Sequence, residues 1–183
     1  MRPLALSALA GAVLVASCAA SVEPVLSTDT VETGAVCAPT NNDGVTSIKF
    51  DLVRNITDGD LKIVSVEMAS PHEVELVAAA VDEDLEGAHV GTEGSVTVDT
   101  DWAPWVLQPG EQAVVQVILR PTRPDAAGWT DGLWVLAETE QGERVRIHTC
   151  HSLFSSPSGA CSMDREPSDE EDLDRMCGYS ESV

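Results

Sequence analysis

The sequence predicts an all-β chain: a seven-stranded antiparallel sandwich of two sheets, with a flexible spacer before it and an acidic tail after it. Three observations predict this. Apolar and polar residues alternate with a period of two in short runs between residues 45 and 151, the pattern of half-buried strands. The runs recur about every ten residues between clusters of Gly, Pro, Asn and Asp, which is the rhythm of a sandwich. No strong helical pattern intervenes between them.

The first run begins at Val45 and places Ile48, Phe50 and Leu52 on one face, with Lys49 and Asp51 on the other. Thr57-Asp58-Gly59-Asp60 is a turn cluster, and the β-branched, apolar run Leu61 to Met68 is the next strand. Pro71 ends it. From Glu73 to Val81 the residues Val74, Leu76 and Ala78 share a side opposite Glu73 and Glu75; its alanines would tolerate a helix, and a strand is expected. Residues 82 to 94 form an acidic loop with Gly87, Gly91 and Gly94, followed by a short strand from Ser95 to Asp99.

Pro109-Gly110 predicts a type II turn, because proline presets one position and glycine permits positive φ at the next. After it Ala113, Val115, Val117 and Leu119 alternate with Val114, Gln116, Ile118 and Arg120, apolar enough on both sides to be a strand covered on both faces. Gly132 to Glu138 puts Leu133, Val135 and Ala137 opposite Trp134 and Leu136, with Trp134 expected in the core. Gln141-Gly142 turns the chain into Arg144 to Cys150, where Val145, Ile147 and Thr149 oppose Arg144, Arg146 and His148. Continued as a strand, this run sets His148 and Cys150 on one face and His151 on the other.

The segment LQPGEQAVVQVILRP, from Leu107 to Pro121, resembles the immunoglobulin-like modules of bacterial exported proteins, in which a proline-glycine turn precedes a long core strand. The resemblance spans roughly residues 45 to 150. It implies an immunoglobulin-like sandwich and brings no catalytic residues with it.

The first residues carry a separate message. Arg2 precedes an uncharged apolar stretch from Leu4 to Val15, and small residues follow, the layout of an export signal. Twelve residues at about 1.5 Å each would cover only about 18 Å of a roughly 30 Å hydrocarbon core, so a spanning helix is not expected. Leu14-Val15-Ala16-Ser17-Cys18 resembles a bacterial lipobox, which implies cleavage before Cys18 and lipid on its sulfur. The alternative is an ordinary secretory signal cut after Cys18-Ala19-Ala20. The expected organisation is a signal peptide over 1–17, a lipid-anchored spacer over 18–44, the β-sandwich over 45–151 and a mostly disordered acidic tail over 152–183. The expected location is the extracytoplasmic face of the cell membrane.

A formal charge of −21, from 31 acidic against 10 basic side chains, argues against nucleic acid or an anionic lipid surface as partner. Membrane contact would then come through the N-terminal lipid. Five cysteines fit an oxidising compartment. With Cys18 lipidated, Cys37, Cys150, Cys161 and Cys177 form an even set open to three pairings; the expected one joins Cys37 to Cys150 and Cys161 to Cys177.

Candidate chemistry is sparse. His148-Thr149-Cys150-His151 offers two imidazoles and a thiol that could bind copper or zinc, but a structural disulfide with exposed histidines is the favoured reading, and no cofactor is expected. His72-Glu73 lacks the second histidine of a zinc-protease motif, since Leu76 stands four residues on. There is no nucleophile elbow, P-loop or dinucleotide fingerprint. Trp102, Trp105 and Trp129 lie near predicted turns and are either a recognition patch for a protein or glycan partner or caps on the sandwich ends. The resulting expectation is a non-enzymatic lipoprotein that binds or organises another envelope component. Metal handling through His148 and His151 is the alternative, and a hydrolase the weakest reading.

Overall fold

The computed structural model describes residues 26–28, 34–82, 89–91, 104–158 and 180–183. The signal segment, Cys18, the strand expected at Ser95 to Asp99, Trp102, Cys161 and Cys177 lie outside the described residues. Within them the chain is all-β, with thirteen strands and no helix: β1 Leu26–Thr28, β2 Gly34–Pro39, β3 Thr46–Asn55, β4 Leu61–Met68, β5 Val74–Asp82, β6 His89–Gly91, β7 Trp105–Leu107, β8 Gln112–Pro121, β9 Gly128–Thr130, β10 Leu133–Thr139, β11 Arg144–His148, β12 His151–Ser156 and β13 Ser180–Ser182. No described helix is long and apolar enough to cross a membrane.

These strands form three sheets where two are expected from the sequence. The first runs β1-β3-β8-β5, with β6 also on β3; the second runs β13-β11-β10-β4-β7; the third is β2-β12-β9. Turn chemistry agrees with the reading above. Gly110 adopts φ 79°, and the amide of Glu111 donates to the Gln108 carbonyl at 3.0 Å, so Pro109-Gly110 makes the turn into β8.

The core lies between the first two sheets, and β8 and β10 provide its two uninterrupted rows. Ala113, Val115, Val117 and Leu119 from β8 meet Leu133, Val135 and Ala137 from β10 in one buried cluster. Val114 and Ile118, on the other face of β8, are buried as well, as its two-sided apolarity predicts.

Three neighbouring strands depart from simple alternation. In β3, Lys49 pairs with Gln116 and Asp51 with Val115, leaving Phe50 as an extra residue. In β5 the extra residue is Val77, and in β4 it is Val64. An added residue reverses which side chains point inward from there on. Hence Ile48 and then Val53 reach the core from β3, Ile63 and then Val66 from β4, and Leu76 and then Ala79 and Val81 from β5. The expected grouping of Ala78 with Leu76 fails for this reason. So does the expected exposed face of β3: Asp51 lies on the inward side with Val53, and Lys49 is buried on the opposite side, where its Nζ meets Asp82 Oδ2 at 2.8 Å.

The third sheet corrects the expected boundaries. β2 falls in the expected spacer, yet Val36 and Ala38 are buried in the core. β12 lies almost wholly in the expected tail, yet all six of its residues are buried. β2 and β12 pair in parallel, from Gly34 opposite His151 to Pro39 opposite Ser156, and β9 adds antiparallel on the other edge. The C-terminal Ser180–Ser182 pairs with β11. Trp134 is a further correction: it sits on the outer face of β10, with the Arg146 guanidinium 4.3 Å above its ring, and Trp105 packs on the core edge instead.

β9 approaches the β4–β5 corner very closely. A Cβ at Gly128 would stand 2.2 Å from the Glu73 carbonyl oxygen, which accepts the Thr122 amide at 2.9 Å. Gly128→Ala is therefore expected to destabilise the protein by about 3 kcal/mol through forced backbone movement, read as a lower urea midpoint at unchanged slope.

Candidate functional site

Polar residues converge where β12 lies along β3. His151, Leu153 and Ser155 share one face of β12 by alternation. At one end of this face His151 Nδ1 and Asp51 Oδ1 share a hydrogen bond of 2.7 Å, and at the other Ser155 Oγ and Thr46 Oγ1 lie 2.6 Å apart. Leu153, between them, enters the core cluster together with Ile48. The seam thus has polar ends and an apolar middle.

The Asp51–His151 contact is deeply buried, with side-chain exposures of 2% and 8%. Asp51 Oδ2 and His148 Nδ1 are buried and accept or donate no hydrogen bond among the described residues. Asp51 reaches this position only because the bulge at Phe50 turns it inward. His151 reaches it because the chain leaves the second sheet after His148 and starts β12 of the third sheet at His151. The run expected as one strand to Cys150 is broken there, so the expected facing of His148, Cys150 and His151 does not hold.

The break is held by its own bonds. Thr149 donates its amide to the Leu133 carbonyl at 2.9 Å and accepts the Leu133 amide on Oγ1 at 3.0 Å. The Gly34 amide donates to the Cys150 carbonyl at 3.3 Å. His148 packs edge-on against Trp134 with ring centroids 4.8 Å apart, and burial pushes its pKa below the ordinary histidine value, opposed in part by the adjoining Thr149 backbone and by the Asp51 charge. Of the two expected metal ligands, His151 is engaged by a carboxylate and His148 is enclosed. Among the described residues no group of three or more His, Cys, Asp or Glu side chains is placed to hold a metal ion.

Both cysteines of the described residues, Cys37 and Cys150, are disulfide-bonded. Cys37 stands opposite Phe154, and Cys150 immediately precedes His151, which stands opposite Gly34.

Of the tryptophans expected near turns, the two among the described residues, Trp105 and Trp129, lie apart. Trp105 pairs with Ile63 near the start of β4, whereas Trp129 pairs with His72 beyond the end of β4. The six residue steps from Ile63 to Ala69 alone span roughly 20 Å. Trp129 is stacked between His72, at 5.3 Å, and Phe154, at 6.1 Å. The amides of His72 and Trp129 donate to each other's carbonyls at 2.7 and 2.9 Å. Ser70 and Glu73, both at φ 48°, bracket His72 in a conformation that non-glycine residues seldom adopt. Sequence reasoning missed Asp51 and the His72–Trp129 pair, since neither a mid-strand bulge nor a cross-sheet bridge leaves a local signal.

No protein-family model and no curated protein matches this chain. Among solved structures it is similar to an ASH/PapD-like domain, PapD-like domain 7, of human CEP192, at 11% identity and TM-score 0.38, over 90% of this chain and all of that one.

Removing His151 leaves the buried Asp51 carboxyl without its hydrogen-bond partner, so His151→Ala is expected to cost about 1–3 kcal/mol in chemical denaturation. The double replacement Asp51→Leu/His151→Leu is expected to cost less than that single change. A second expectation concerns pH. Because the folded protein disfavours protonated His148, the unfolded chain binds more protons as pH falls below the unfolded histidine value of about 6.5. Stability should be complete above that pH and decline below it, until the lower folded pKa is passed. His148→Phe should flatten this decline in denaturation midpoints measured from pH 7.5 to 5.

Proposed function

We propose that the protein is a lipoprotein held by Cys18 on the extracytoplasmic face of the cell membrane, with an immunoglobulin-like domain that acts without catalysis as a binding or structural module of the envelope. The observation that carries this reading is the ordered sequence of Arg2, the apolar stretch Leu4 to Val15 and the lipobox-like Leu14-Val15-Ala16-Ser17-Cys18. A diacylglyceryl thioether plus an amide-linked chain offers more than one acyl chain of buried CH₂ groups, each worth about 0.8 kcal/mol, which is enough for stable anchoring. The charge of −21 holds the body away from anionic headgroups rather than against them.

The engagement of His151 by Asp51, and the enclosure of His148 against Trp134, favour a structural role for these histidines over metal handling. The surface that best suits a partner is the corner around Trp129. There His72 is exposed, Trp129 is half-buried, and Arg123 Nη1 pairs with Glu73 Oε1 at 3.3 Å. An amphipathic ring beside paired charges and a strained backbone suits recognition of a protein or glycan.

Intact mass spectrometry of membrane-extracted protein is expected to show a first residue of Cys18 with added acyl mass, and Cys18→Ala is expected to move the protein to the aqueous phase. Unmodified wild-type protein in the aqueous phase would overturn the reading.

A further inference from the structure

We infer that Asp58 is a site of spontaneous backbone modification, at which the chain isomerises to isoaspartate through a cyclic imide. The sequence contains three Asp-Gly pairs: Asp43-Gly44, Asp58-Gly59 and Asp131-Gly132. In such a pair the glycine amide nitrogen can attack the aspartate Cγ, because glycine has no Cβ to shield its amide or restrict its approach. A bond forms between that nitrogen and Cγ, the carboxyl oxygen leaves as water, and the ring closes. Water then reopens it. Attack at Cγ restores aspartate, whereas attack at the main-chain carbonyl routes the chain through Cβ and Cγ and leaves the former main-chain carbon as the free carboxyl. One water is lost and one regained, and nothing is oxidised or reduced.

The structure separates the three pairs. At Asp43-Gly44 the Gly44 amide donates to the Asn41 carbonyl at 3.0 Å and the Asp43 amide to Asn41 Oδ1 at 2.9 Å, so the attacking nitrogen is tied back. At Asp131-Gly132 the glycine is buried, and a Cβ on it would stand 2.8 Å from the Thr149 carbonyl oxygen. The Asp131 amide and the Gly132 carbonyl are both bonded to the backbone of Ala69, at 2.9 and 3.0 Å, so a ring has no room to close. Asp58 differs on each count. It is exposed, a Cβ at Gly59 would meet nothing within 4 Å, and among the described residues the Gly59 amide donates to no acceptor.

Isomerisation here reaches the core through Asn55, the last residue of β3, which is completely buried. Its Nδ2 donates to the Gly59 carbonyl at 2.8 Å and to the Leu107 carbonyl of β7 at 3.0 Å. Its Oδ1 accepts the Thr57 amide and hydroxyl at 2.9 and 2.8 Å, and its backbone is bonded to Gly110 and Glu111 in the turn before β8. One side chain therefore joins the first sheet to the second. A methylene added to the backbone between residues 58 and 59 displaces the Gly59 carbonyl and leaves an N–H of Asn55 without its acceptor where water does not reach. The modified chain is loosened at the end of the sandwich where β3, β7 and β8 meet.

The test is timed incubation of the purified full-length protein at neutral pH, followed by digestion and identification of isoaspartate from fragment ions. Trypsin and chymotrypsin together cut after Lys49, Arg54, Lys62, Trp129 and Trp134, so the three pairs fall on separate peptides. In the folded protein isoaspartate is expected to accumulate at residue 58 several-fold faster than at 43 or 131, and in urea that difference is expected to vanish. Equal or faster accumulation at 43 or 131 in the folded protein, or none at 58, would overturn the assignment. The link to Asn55 is read from stability. Aged wild-type protein is expected to unfold at a lower urea concentration than fresh protein, whereas aged Asp58→Glu, whose longer side chain closes the ring far more slowly, is expected to match its own fresh sample. Isoaspartate at 58 with an unchanged midpoint, or an equal loss in aged Asp58→Glu, would refute that link.

Discussion

One extra residue in the middle of β3 determines where the polar centre of this protein lies. Side chains of a strand alternate strictly, so the insertion at Phe50 reverses the inward face for everything after it. Without it, Asp51 would point away from the core and Leu52 toward it. With it, a carboxylate is carried inward, where only a buried hydrogen-bonding partner makes its position tolerable. His151 is that partner, and β12 is thereby fixed along β3.

β4 and β5 contain the same device, at Val64 and Val77, while β8 and β10 keep one unbroken alternation. The two regular strands act as templates. Ile48 opposite Val117 and Val53 opposite Ala113 are both inward pairs on β8, although one lies before the bulge and one after. Bulges also bend a strand and increase its twist, which lets short sheets wrap a small core from several sides. The third sheet occupies the side so opened, bringing Val36, Ala38 and Leu153 into the same cluster as the other two.

The histidine-cysteine cluster is best understood as the joint between sheets. In four residues the chain ends β11, exchanges two hydrogen bonds with Leu133 through Thr149, turns at Cys150 and begins β12. Residue types that suggest metal binding in a linear reading here serve a change of sheet: His148 fills the space beside Trp134 and Gly132, and His151 answers Asp51. Burial of these groups makes the joint demanding, since a polar atom left without a partner inside a protein is costly.

Local chemistry in the sequence was sufficient for the all-β class, for the positions of β3, β4, β5, β8, β10 and β11, for the turn at Pro109-Gly110 and for the two-sided burial of β8. Each of these depends on neighbours within a few residues, where alternation and turn preferences act. What only the tertiary structure decided is the inward turn of Asp51 and its meeting with His151, the recruitment of Gly34–Pro39 and His151–Ser156 into a third sheet and the outward placement of Trp134. A bulge adds one residue without altering composition, and a parallel pair joins segments more than a hundred residues apart, so neither leaves a mark on the pattern of nearby residues.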